Sequence, residues 1–308
     1  MCPMKKATRT LDVIAARKKG TDAIIPGELA NLHFPKENGL SLLAWKMLVR
    51  VIDEAGARIC DDREHRLEIA ALNWSHKDLN FIEDTLRELQ RTIVDIQIDT
   101  SRGKKVQSGS ILTDVTRDLD TATGEILWEF SKTFRAVVKN SHHWAAVGAK
   151  ALLHMESKYA PPLYMLAALY AGRRHNSVEI PLYDLQQQLG ARAKSMKRWQ
   201  AFKERALDPA VAEINHLTGI RLDWEPVKRG RKIVAVTFTA WRKDSAQADH
   251  AVAELSKTRI GRKARRAGTV EELAADQVAL REMAERSLLR ASEAGQKSIA
   301  QQIGDEIL

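Results

Sequence analysis

Apolar residues recur at helical spacing in some stretches of this chain and alternate at strand spacing in others. Leu42, Trp45, Leu48, Val49 and Ile52 lie three or four apart, which predicts a first core helix over residues 40–53. Leu79, Ile82, Leu86, Leu89 and Ile93 predict a second, with Ser75 or Asn80 as its cap. Residues 65–72 fit a short strand or a helix equally well. Residues 92–100 alternate as a strand, and Ser101-Arg-Gly-Lys-Lys105 makes a basic turn. Residues 109–115 and 125–130 read as further strands, joined around Gly124. Residues 134–143 form a connector. A helix follows from Gly148 and pauses at Ala160-Pro161-Pro162, because proline removes a backbone donor. Residues 164–170 open a second domain as its first helix, stopped by Gly172.

The second half is more sharply patterned. Residues 178–190 predict a helix and residues 198–215 another, and residues 219–238 predict a hairpin. Trp199, Phe202, Leu207, Val211 and Ile214 form the second helix's buried stripe, and Asp208-Pro209 marks a bend or a fresh N-terminus. Trp224 and Phe238 pack the hairpin onto the helices. A helical pair feeding a two-stranded hairpin is the winged-helix arrangement. The first half shows the same element order with no fixed-period repeat. The expected fold is α+β, two winged-helix domains in tandem with a C-terminal helical tail. Residues 1–25 are expected to be a flexible basic arm with a short helix at 11–18. Residues 26–140 and 145–242 are the two winged helices, 243–268 a basic linker and 269–308 the tail.

A formal net charge of +9 over 308 residues favours a polyanionic partner. No run approaches the ~18 apolar residues of a membrane span, and no signal-peptide core is present. Two cysteines, Cys2 and Cys60, give neither a disulfide framework nor metal-ligand spacing, which suits a reducing cytoplasm.

Charge is concentrated in the second domain. Residues 191–232 hold eleven bases against five acids, a net of +6. The bases cluster at the start of the second helix (Lys194, Lys197, Arg198, then Lys203 and Arg205) and at the hairpin tip (Lys228, Arg229, Arg231, Lys232). A lone basic turn is usually a solvated loop; two clusters flanking one helix point to duplex DNA. Phosphate neutralisation would supply affinity, and Arg198 could read a guanine edge through its planar fork. In the first domain the corresponding candidates are Lys77, Arg87 and Arg91 on the helix, with Arg102, Lys104 and Lys105 on the wing.

A family resemblance rests on Tyr159, Leu163-Tyr164, Ile180-Pro-Leu-Tyr-Asp-Leu185, Leu189-Gly190, Trp199, Phe202-Lys203, Arg205, Leu207-Asp-Pro-Ala210, Glu213-Ile-Asn215, Gly230-Arg-Lys232 and Phe238. Over residues 155–240 this run resembles the second winged helix of theta-type plasmid replication initiators, the Rep proteins that bind iterons. The first half resembles them in element order and in Leu86, Leu89 and Thr92-Ile-Val94. The resemblance implies two winged helices that each read part of one direct repeat at an origin. It further implies a monomer that recruits a host initiator, a helicase and chaperones, and a homodimer that represses its own gene at an operator.

Enzymatic readings find little footing. A rolling-circle nickase needs two histidines separated by one apolar residue, whereas His142 and His143 are adjacent. Tyr164 and Tyr170 sit in an apolar helix and read as core. There is no Gly-Lys-Ser/Thr phosphate loop or nucleophile elbow. Asp61-Asp62 and Asp118 with Asp120 lie in turns, where a solvated or capping role is the ordinary one. No cofactor, metal or membrane is expected, and the chain reads as non-enzymatic. A winged-helix transcriptional repressor without a replication role is the rival reading; an RNA regulator would show more aromatics interleaved with bases.

Overall fold

A computed structural model describes residues 9–17, 22–31, 39–72, 74, 81–100, 103–118 and 124–269. The chain divides into two compact units, residues 1–256 and 257–308.

The first unit contains both winged helices. In the N-terminal one, helix α2 (Leu42–Ala55) starts at Ser41, whose hydroxyl accepts from Ala44 N at 3.1 Å. Its apolar stripe of Trp45, Leu48, Val49 and Ile52 is buried, as the spacing requires. Strand β2 (His65–Glu68) ends in a 3-10 turn, Ile69–Leu72, so the ambiguous segment is both strand and helical turn. Helix α3 (Ile82–Arg91) has Phe81 at its N-cap; Ser75 and Asn80 lie outside the described residues. Ile93, which the sequence places both in the stripe of α3 and in the strand over 92–100, opens strand β3 (Ile93–Thr100) and is 46% exposed.

Strand β3 pairs with β4 (Gly103–Ser110), closing on itself at Thr100 and Gly103. Strands β5 (Leu112–Arg117) and β6 (Glu125–Phe130) then join β2 in a separate sheet of order β2-β6-β5. The C-terminal sheet has the matching order β8-β10-β9, built from Ser177–Pro181, Ile220–Arg229 and Lys232–Arg242. The wing of the first domain is therefore the β5–β6 hairpin, and β3–β4 is a ribbon inserted before it. This corrects the expected wing at Arg102, Lys104 and Lys105. The physical reason is that β4 (Gly-Lys-Lys-Val-Gln-Ser-Gly-Ser) carries one large apolar residue, and that one, Val106, is exposed. Leu112, Ile126, Trp128 and Phe130 are the residues that face the core.

Three connecting segments also differ from expectation. Residues 10–16 and 23–26 form helix α1 (Thr10–Ala16) and strand β1 (Ala23–Pro26). Ile14, Ala23 and Ile25 are buried, β1 pairs with β7 (Trp144–Val147), and Arg17 pairs with Asp53. A flexible arm over 1–25 thus fails for these residues, because they carry enough apolar side chains to join the core. The connector at 134–143 contains helix α4 (Lys132–Asn140), capped by Ser131 and burying Phe134, Val137 and Val138. Helices α5 (Ala149–His154) and α6 (Ala160–Tyr170) follow, with Pro161 and Pro162 in the first turn of α6, where a missing N–H costs nothing.

The linker expected over 243–268 is helical at its start. Helix α9 (Ser245–Ser256) buries Ala251, Glu254 and Leu255, and Glu254 lies 3.5 Å from His216. Its only large buried aliphatic side chain is Leu255, so its apolar signal in the sequence is weak. In the second unit the described part is a short helix, Arg262–Ala267, between Gly261 and Gly268 at φ 75° and 74°. The tail from residue 270 lies outside the described residues.

Beneath the N-terminal sheet, His65 stacks on Trp128 (centroids 5.6 Å apart) and meets Phe130 edge-on at 5.4 Å. Both ring nitrogens are buried without a hydrogen-bond partner, and burial pushes the imidazole pKa down to about 4. Below pH ~6.5 the unfolded chain takes up a proton that the folded chain refuses until about pH 4. Stability should therefore fall between those values, by up to about 3 kcal/mol at 1.36 kcal/mol per pKa unit. Urea unfolding of the wild type and His65→Phe across this range should show the extra acid sensitivity only in the wild type.

Candidate nucleic-acid interface

The C-terminal winged helix runs α6, β8, α7 (Leu182–Gln188), a 3-10 turn at Lys194–Lys197, α8 and the β9–β10 hairpin. Residues 178–181, expected at the start of a helix, are strand: Val178–Pro181 pair with Ala235–Phe238. The β-branched Val178 and Ile180 alternate with Glu179, and Ile180 is buried. Helix α8 spans residues 199–217 as Trp199–Phe202, a π-helical turn at Lys203–Leu207, and Asp208–Leu217. Pro209 has no N–H to give Arg205, and its ring crowds that carbonyl. The chain accommodates this with a wider turn in which Asp208 N–H bonds back to Lys203 O. The Asp208-Pro209 step is thus a π turn inside one continuous helix.

Apolar and polar contacts together seat α8. Phe202, Ala206, Leu207, Ala210, Ile214 and Leu217 are buried, while Trp199 and Val211 of the expected stripe are only partly so. Trp199 meets Trp224 of β9 edge-on, centroids 5.7 Å apart, which packs the hairpin onto the helix as expected. The Asn215 amide accepts from Leu222 N at 2.7 Å and donates to Leu222 O at 2.9 Å. Buried Glu213 accepts from the backbone N–H groups of Glu156 and Ser157 at 3.1 Å, in the segment that joins α5 to α6. Lys243 donates to Thr218 O at 2.8 Å and to Asn215 O; burial lowers its pKa.

At the other end of α8, Arg198 is the N-cap in extended conformation, and Gln186 steadies the preceding turn by donating to Met196 O at 2.8 Å. Lys194, Lys197, Arg198 and Arg205 are exposed and have no carboxylate partner among the described residues. Lys203 is engaged: it lies 3.6 Å from Asp208 and over the Trp224 ring at 5.9 Å. The wing turns through Gly230-Arg231 between paired Arg229 and Lys232, and Gly230 takes φ 62°, the sign a tight hairpin requires. Lys228, Arg229, Arg231 and Lys232 are all exposed there.

The N-terminal counterpart is electrostatically different. Lys77 and Arg102 lie outside the described residues. Arg87 pairs with Glu83, which also receives Arg117, and this second contact chiefly holds the Glu83 carboxyl below its usual range. Arg91 is exposed at the end of α3, and Lys104 and Lys105 are exposed on the ribbon. In sequence, residues 118–124 between β5 and β6 include Asp118 and Asp120 and no base. No group of three or more His, Cys, Asp or Glu side chains could hold a metal among the described residues. No helix there is long and apolar enough to cross a membrane.

Residues 181–240 match the family model of the initiator Rep protein, WH2. Over these residues the chain is similar to the second winged helix of initiator Rep proteins. This Rep match falls inside the stretch, 155–240, on which the sequence resemblance rests. Among solved structures, the Pi initiator protein in complex with iteron DNA aligns with TM-score 0.53 and 18% identity, covering 74% of this chain and 100% of that one. A second, the WH1 domain of MSBI1.176, a replication protein isolated from a multiple sclerosis patient, aligns at 15% identity with TM-score 0.26. That alignment covers 32% of this chain and 81% of the other. No curated protein matches. The likeness to Pi is one of fold, over 74% of this chain.

Asn215 offers a test of how α8 is held. Asn215→Ala leaves Leu222 N–H and C=O without their partners and should cost about 1–3 kcal/mol in urea unfolding. Asn215→Asp keeps the acceptor and should cost less than Asn215→Ala.

Proposed function

We propose that this protein initiates plasmid replication by binding direct repeats, iterons, at its origin through two winged helices. The observation that carries the proposal is the Rep WH2 domain itself, which exposes one basic cluster at the start of α8 and another at the wing tip. The fold likeness to the Pi initiator, solved in complex with iteron DNA, supports it. Helix N-terminal residues reach base edges in this docking mode, so Arg198, Lys197 and Lys194 are assigned to base or adjacent phosphate contact. Arg205 faces solvent beside them, while Lys203 acts from within its contacts to Asp208 and Trp224. Lys228, Arg229, Arg231 and Lys232 grip phosphates.

In the first domain, Arg91 at the helix end and Lys104 and Lys105 on the ribbon add phosphate contacts, and Lys77 and Arg102 are candidates from the sequence alone. Arg87 contributes less, because Glu83 already neutralises it. The protein acts by binding, without catalysis or cofactor, in the cytoplasm. A homodimer that represses its own gene, and contacts with a host initiator, helicase and chaperones, complete the reading.

Footprinting on DNA beside the protein's own gene should show protection of a row of short direct repeats. Protection of a single inverted pair alone would identify a repressor instead. Arg198→Ala should cost about 1–3 kcal/mol and relax preference at one base position. Lys228→Ala with Arg229→Ala should weaken all sequences alike and flatten the salt slope by roughly two. Wild-type affinity and salt slope in both variants would refute the proposed docking.

A further inference from the structure

A second basic cluster lies away from the wing. A cavity of about 350 Å³ is lined by His142, His143 and Trp144 beside β7, by Gly172 and Arg173 past the end of α6, and by Arg242 at the end of β10. No carboxylate lines it. The cavity is built by three elements that the fold fixes. His143 O accepts from Gly27 N at 2.6 Å and from Ser141 Oγ at 2.8 Å, and a Cβ on Gly27 would meet His143 Cβ at 2.9 Å. The Arg173 guanidinium lies over the Tyr170 ring at 4.9 Å. The Arg242 guanidinium lies 3.9 Å from where a Cβ on Gly172 would stand, which places the two side by side.

Cations also gather at helix C-termini for their own sake, to meet unpaired carbonyls. Here two of those carbonyls already have backbone donors: Ala171 N bonds Ala167 O at 2.8 Å, and Arg173 N bonds Tyr170 O at 3.0 Å. Neither arginine pairs with a carboxylate among the described residues. Two guanidinium forks and two imidazoles around one acid-free cavity, with an aromatic wall, match the chemistry of a phosphate ester.

We infer that this cavity binds a phosphate group through Arg173 and Arg242. Its volume is at the lower end of small-ligand sites, enough for a phosphate with a small attached group. It is not the phosphate held by the wing. Arg242 stands ten residues along β10 from Lys232, roughly 33 Å at about 3.3 Å per residue. The phosphate belongs either to a duplex reaching past the wing's footprint or to a free phosphorylated compound.

The full-length protein is titrated calorimetrically with pyrophosphate and with AMP, and separately with direct-repeat duplex over a range of salt. Variants are Arg173→Gln with Arg242→Gln, and Gly172→Glu, which sets a carboxylate beside Arg242. For a free compound, one molecule should bind per chain, at least tenfold more weakly in both variants, with the duplex salt slope unchanged. For a duplex phosphate, the double variant should lower the salt slope by about two while pyrophosphate and AMP show no saturable binding. The inference is overturned if folded variants, matched to wild type by thermal melting, bind every probe as the wild type does. Failure of wild-type protein to bind direct repeats would overturn the proposed function and leave the free-compound arm standing.

Discussion

The placement of α8 depends on polar groups buried along its second half. A carboxylate withdrawn from water is costly unless donors replace its hydration, and Glu213 obtains them from the N–H groups of Glu156 and Ser157. Two residues on, Asn215 closes a reciprocal pair of bonds with Leu222. One turn of helix is thereby fixed both to the strand that leads to the wing and to the segment that leads back to the first domain. Apolar packing alone would hold α8 against the sheet while permitting it to slide. Directional bonds to backbone on two sides remove that freedom, so the basic residues at its far end keep a fixed relation to those on the wing.

The two winged helices share a topology and differ in charge. Both have the sheet order of first, third and second strand. In the C-terminal domain the helix start and wing tip are basic and unpaired with acids. In the N-terminal domain α3 carries three acids and two bases, Glu83 engages Arg87 and Arg117, and the sequence between β5 and β6 holds acids and no base. Shape alone would predict two equivalent contacts with a duplex. For the proposed duplex binding, electrostatics assigns an unequal division, with most of the salt-sensitive affinity on the C-terminal domain. Among the exposed bases of the first domain, Lys104 and Lys105 lie on the inserted ribbon and not on the wing.

What could be read from the sequence follows the strength of each local signal. Helix α2 and the β9–β10 hairpin were legible because their apolar residues keep period and their ends carry turn chemistry: Ser41 at one, Gly230 at the other. Helix α9 was not, since alanine contributes little periodic signal and the pairing of His216 with Glu254 is invisible before folding. The short strand Ala23–Pro26 drew its structure from a partner more than a hundred residues away. The wing of the first domain was misplaced for a different reason. A basic turn between alternating residues is a sound hairpin signal, and a hairpin is there. Which hairpin joins the sheet is decided by burial of Leu112, Ile126 and Trp128, a property of the tertiary core. On the interface, the positions of Arg198 and the wing bases were legible from charge alone; the engagement of Lys203 by Asp208 and Trp224 was not.

The π turn connects these threads. An α-helix advances about 100° per residue, so one extra residue in a turn rotates everything before it by that amount relative to everything after. Glu213 and Asn215 anchor the part after Pro209, and Lys197, Arg198 and Trp199 precede the turn. Their angular position about the helix axis is set jointly by the buried anchors and by the proline that enforces the wider turn. Trp199 reports the result: with the turn in place it reaches Trp224 on the hairpin, only 5.7 Å away between ring centres. A regular helix through the same anchors would aim Trp199 to one side of that contact and carry Arg198 with it. A proline that looks like a helix breaker in the sequence thus acts as a phase setter, directing the basic end of the helix while its buried half stays fixed.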